Sequence, residues 1–103
     1  MATIASIAVE GFNEVKVYKH WDGYPEATLP WLEKFNRDFA EKRGNDPSYK
    51  FAQLLRSSVR DAEEFKLDTS LHTGWGVVQR SADCGEEYRY YLKTDGTVEV
   101  TSQ

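Results

Sequence analysis

Apolar and polar residues alternate near both ends of this chain, and between them the apolar positions recur at steps of three and four. Thr3, Ile4, Ile7 and Val9, set among Ala and Ser, predict a strand over residues 2–10 whose small side chains suit close packing. Gly11-Phe12-Asn13 interrupts that run. Glu14 to Lys19 then alternates polar with apolar, with Val15 and Val17 on one side and Lys16 and Tyr18 on the other. Two strands so close, with a glycine in the gap, predict a β-hairpin with one buried face.

After Asp22-Gly23 the period changes. Leu29, Leu32, Phe35 and Phe39, with Trp31 beside them, fall on one helical face. Lys42 and Arg43 suit the carbonyl end of this helix, and Gly44 suits its stop. Pro30 would lack a donor inside a helix and crowd the turn before it. The expected helix therefore runs from about Leu29 to Arg43, after a short turn at 25–28, with Thr28 as its cap. Asp46-Pro47 opens a second helix, because an N-cap carboxylate is followed by a proline whose φ is already helical. Phe51, Leu54, Leu55, Val59 and Ala62 share its apolar face.

Residues 66–74 read as a polar loop. Gly76–Arg80, Glu87–Lys93 and Thr97–Thr101 read as strands, with turns at Asp83-Cys84-Gly85 and Asp95-Gly96. Tyr88, Tyr90 and Leu92 fall on one face, and Val98 and Val100 point inward. With spacings this short, all neighbours are expected to be antiparallel. The predicted fold is a single α+β domain over 1–103, order ββααβββ, with about five antiparallel strands and two helices on one face. Its expected core sets Leu32, Phe35, Phe39, Phe51, Leu55 and Val59 against Val15, Val17, Val78, Val98 or Val100.

Composition narrows the function classes. A formal charge of −4 argues against direct nucleic-acid binding, which calls for a basic face, and suits a partner with a basic surface. No apolar run approaches the roughly 18 residues that span a bilayer, and the opening residues lack the charged start of a signal peptide. One cysteine, Cys84, forms no internal disulfide and fits a reducing cytoplasm.

The chemistry-bearing residues concentrate in Tyr18-Lys19-His20-Trp21-Asp22-Gly23-Tyr24-Pro25-Glu26. His20, Asp22 and Glu26 form the one His-plus-carboxylate cluster of the sequence. Alternation along an extended strand end brings positions 20 and 22 to one side, so a carboxylate there orients an imidazole for acid–base work. The same residues also read as an Asp-Gly turn at a sheet edge, or as a binding loop without chemistry. No nucleophile or phosphate-cradling loop accompanies them. His20, His72, Asp22 and Cys84 lack metal-ligand spacing, so no metal and no cofactor is expected. The surplus of aromatics, namely Tyr18, Trp21, Tyr24, Trp75, Tyr88, Tyr90 and Tyr91, points to partly exposed rings that anchor a protein interface. Stacked single-stranded bases are the weaker reading, because Tyr88-Arg89-Tyr90-Tyr91 lacks the spacing of RNA-binding sheets.

The nine-residue stretch, preceded by Thr3, Ala5 and Ile7, resembles a family of small uncharacterised proteins of phages, prophages and bacteria. That family carries a Tyr-x-His-x-Asp-Gly-Tyr-Pro signature after an N-terminal hairpin, and its relatives often have an Arg where this chain has Ile4. The resemblance spans about the first 30 residues and implies no established reaction. It implies a mobile-element setting, in which a small acidic protein inhibits a host defence or nucleic-acid-handling complex in the manner of an anti-CRISPR protein. The alternative is a small-ligand or nucleotide binder using His20, Asp22 and Tyr24. Hydrolysis by His20 and Asp22 comes third.

Overall fold

A computed structural model describes residues 3–64 and 73–102. The order is β1 (Ala5–Val9), β2 (Phe12–Lys19), α1 (Pro25–Arg43), α2 (Pro47–Glu64), β3 (Trp75–Gln79), β4 (Tyr88–Leu92) and β5 (Val98–Ser102). The expected α+β order is therefore present, and no described helix is long and apolar enough to cross a membrane. Most of the loop expected at 66–74 lies outside the described residues, as does His72.

The sheet differs from expectation in one respect: it is mixed. Its order is β3-β2-β1-β4-β5, and β1 pairs antiparallel with β2 but parallel with β4. Short spacing limits only strands that are both consecutive and adjacent, and β3 and β4 are not adjacent. Residues 80–87 carry the chain across β2 and β1 instead. Three strand spacings amount to about 14 Å, well within the roughly 30 Å that nine chain steps can reach.

Register sorts the side chains. Val17, Ile7, Tyr90 and Val100 stand in one row across the sheet, and Val9, Leu92 and Val98 lie farther along the same face. Leu32, Phe51 and Leu54 of the helices close over this face to make the core. Two expected core members, Val78 and Val59, fall elsewhere. Val78 is opposite Lys16 on the other face, while Val77, opposite Val17, is the helix-side residue of the edge strand. Val59 is 43% exposed, and Leu54, fully buried, takes the central place on α2. Phe35 and Leu55 are only partly buried at the margin.

Helix α1 begins at Pro25 rather than Leu29. Tyr24 is its N-cap, in extended backbone, and its carbonyl accepts the N–H groups of Ala27 and Thr28 at 3.1 Å. Thr28 is thus inside the helix, and its hydroxyl donates backwards to the carbonyl of Asp22 at 2.6 Å. Pro30 is tolerated because it and Glu26, whose carbonyl loses its partner, both lie on the exposed side. Helix α2 starts at Pro47 as expected, and the Asp46 carbonyl accepts the N–H of Lys50 at 2.9 Å, while the Asp46 carboxylate lies 3.6 Å from the Arg43 guanidinium. Gly44, at φ 69°, ends α1.

Candidate functional site

The Tyr18–Glu26 stretch leaves β2 at one end of the sheet and turns sharply into α1. Asp22 takes the left-handed conformation, φ 54°, which Asp and Asn tolerate better than other side-chain-bearing residues. Gly23 comes next and has no room for a side chain. A Cβ there would stand 2.6 Å from the Cβ of Ala5 and 2.8 Å from the carbonyl of Thr3.

Hydrogen bonds from four directions hold this backbone. His20 N–H donates to the carbonyl of Gly74 at 2.8 Å, and Gly23 N–H to that of Thr3 at 2.9 Å. The Thr28 hydroxyl takes the Asp22 carbonyl, and the Tyr90 hydroxyl donates to the Gly23 carbonyl at 2.6 Å. Burial pushes the Tyr90 phenol up to about 12, so it remains a donor at any ordinary pH. Tyr90 is 1% exposed and faces the helices. It supports the loop from beneath and is not part of its outer surface.

The side chains point elsewhere. His20 Nδ1 and the Tyr18 hydroxyl are hydrogen-bonded at 2.6 Å, and the edge of the His20 ring meets Trp21 at a centroid distance of 5.1 Å. Trp21 in turn lies over Gly74, whose missing side chain makes room for it. The structure gives no hydrogen bond or ion pair between His20 and Asp22. The left-handed step at Asp22 breaks the alternation that was expected to bring them together. Tyr24, 39% exposed, and Glu26 open to solvent at the head of α1.

Trp75 and Tyr88 belong to the same end of the sheet. Trp75 is opposite Lys19, Lys19 opposite Ala5, and Ala5 opposite Tyr88, in one row beneath the loop. Both rings are half-buried. Trp75 also meets Trp31 of α1 at 5.9 Å, and the Lys19 ammonium stands 5.5 Å from the Trp75 ring centre. Residues from three distant segments therefore converge on one surface.

A second surface escaped sequence reading. On the face away from the helices, Ser6, Lys16, Arg80, Arg89, Tyr91 and Thr101 line a depression of about 480 Å³ beside the 80–87 crossover. Lys16 is buried there, donating to the Ala82 carbonyl at 2.7 Å and to Glu86 at 3.0 Å. Burial pushes the Glu86 carboxyl up, but hydrogen bonds from Cys84, Lys16 and Ser6 prevail and hold it down at about 2. Burial and the Glu86 contact push the Cys84 thiol up to about 11, which keeps it from acting as a thiolate. The clue in sequence was the alternation itself, since Lys16, Arg89 and Tyr91 all occupy the outward phase of their strands. Among the described residues, no three His, Cys, Asp or Glu side chains gather as a metal site.

Comparison with protein-family models, with curated proteins and with solved structures finds no match to this chain.

Proposed function

We propose that this chain acts by stoichiometric binding, with the loop at His20, Trp21, Asp22, Tyr24 and Glu26 as its contact surface and Trp75 and Tyr88 supporting it. The observation that carries this reading is the division of labour within the loop. Its backbone is pinned to the core by hydrogen bonds, whereas Tyr24 and Glu26 face solvent. A surface already ordered before encounter loses little entropy on binding, and a rigid tyrosine is an efficient anchor.

Two carboxylates, Asp22 and Glu26, beside the exposed ring of Tyr24, on a chain of formal charge −4, complement a basic partner and steer the encounter. The resemblance of the signature stretch adds the biological setting. In it, a phage or prophage accessory protein in the bacterial cytoplasm blocks a host defence or other nucleic-acid-handling ribonucleoprotein.

The test is phage plating on a CRISPR-defended host that expresses the chain, paired with melting of the purified protein. Wild type should restore plating, and the Tyr24→Ala, Glu26→Lys double variant should lose that effect at an unchanged Tm. Plating that stays suppressed with wild type, or that is restored equally by the double variant, would remove the basis of the proposal.

A further inference from the structure

The two helices leave a furrow between them. Each packs on the sheet, α1 over β4 and β5 and α2 over β1 and β2, and the rings of Phe39 and Tyr49, 6.0 Å apart, bridge the gap. The furrow encloses about 640 Å³. Four of the residues lining it are aromatic: Trp31, Phe35, Phe39 and the exposed Tyr49. Lys34, Lys42, Arg43 and Arg60 stand along its rim, with Asp38 the one carboxylate. In a chain with more acidic than basic residues, this is a local reversal of sign.

Spacing defines the shape of an occupant. On α1 the lining residues run from Trp31 to Arg43 at steps of three and four, and on α2 they include Tyr49, Gln53, Ser57 and Arg60. Both helices therefore present a continuous stripe to the furrow, about 18 Å long on α1, which matches three turns of a third helix. The cations are arranged for carboxylates. Arg43 stacks on Tyr49, its guanidinium carbon 4.1 Å from the ring centre, which fixes the plane of its donors. Lys34 is bound to Asp38 at 2.8 Å and Arg43 to Asp46 at 3.6 Å, whereas Lys42 and Arg60 make no ion pair among the described residues and are the cations left for an incoming carboxylate.

We infer that this furrow receives an amphipathic helix of a partner protein, with an apolar stripe of about 12 residues and Asp or Glu on its flanks. Single-stranded nucleic acid is the poorer fit. The Arg43 guanidinium already occupies a face of Tyr49, and the overall negative charge repels a polyanion more than a short acidic segment. The Trp31 end of the furrow adjoins Trp75 beside the signature loop, but the cations of the furrow are opposite in sign to that loop's carboxylates.

Fluorescence anisotropy on the whole chain tests this with three labelled probes. One is a synthetic helical peptide with Leu and Phe at three- and four-residue steps and Glu on its flanks. The second has the same stripe with Lys flanks, and the third is an oligothymidylate. Saturable, salt-sensitive binding of the Glu peptide alone is expected. Lys42→Glu and Arg60→Glu, both at exposed positions, should each weaken it by about tenfold with Tm unchanged. Equal binding of the Lys peptide, preferred binding of the oligothymidylate, indifference to both reversals, or no saturable binding of the Glu peptide would each overturn the proposal.

Discussion

The hydroxyl of Tyr90 donates to the carbonyl of Gly23 at 2.6 Å, so a buried ring on β4 holds the turn that links β2 to α1. Tyr90→Phe keeps the ring and removes the donor, leaving a buried carbonyl unsatisfied. Urea denaturation should show a loss of about 1–3 kcal/mol. Amide exchange at Gly23 should quicken more than exchange at Val17. Wild-type stability in the Phe variant would mean that the carbonyl finds another donor.

Gly23→Ala should be more damaging than a turn glycine normally is. The added methyl would meet both Ala5 and the Thr3 carbonyl below 3.0 Å, so β1 or the loop must shift. About 1–3 kcal/mol should be lost, visible as a lower Tm.

Asp22 separates charge from conformation. Asp22→Asn tolerates φ 54° and should melt like wild type, whereas Asp22→Val should lose roughly 1–3 kcal/mol to backbone strain. If the loop contacts a basic partner, the Asn variant should also bind with a weaker dependence on salt. Unchanged salt dependence would confine Asp22 to shaping the turn.

Acid should act through Glu86. Its folded carboxyl titrates at about 2, against an ordinary value of 4.5. The stability it supplies is complete above 4.5 and is lost as pH falls from there through about 2. Glu86→Gln should flatten that part of the acid-unfolding curve. Glu86→Ala, which strands the buried Lys16, should cost about 3–5 kcal/mol at neutral pH.

The corrected core gives a contrast on α2. Leu54→Ala should cost about 2–5 kcal/mol, while the largely exposed Val59→Ala should stay within about 0.5 kcal/mol. Similar losses at the two positions would mean that the face of α2 is wrongly assigned.

Much of this was legible in the sequence because local rules and packing agree. Asp46-Pro47 marks a helix start, and Val15/Val17 against Lys16/Tyr18 marks a strand with two faces. Period two states which side a residue faces but not which strand lies beside it, so the β1–β4 pairing was hidden. Val77 and Val78 are adjacent, and only register with β2 decides which faces the helices. A lysine in an outward phase reads as solvated; burial of Lys16 depends on Glu86, distant in sequence. In the signature stretch the turn was evident, but its support by Tyr90 was not. Tyr90 counted among the surplus aromatics, and nothing near position 23 identifies its hydroxyl as the donor.

The parallel partnership of β1 and β4 also determines when the molecule can be finished. Its two strands lie about 80 residues apart along the chain, a separation that slows folding. On the ribosome, β1 emerges early and can pair with β2, yet its other edge keeps unpaired N–H and C=O groups until β4 appears. That edge is buried on completion but is a template for wrong pairing beforehand. Translation that stalls between α2 and β4 should therefore yield aggregates rather than a smaller folded unit, and the hazard lies in the strand that ends up at the centre of the sheet.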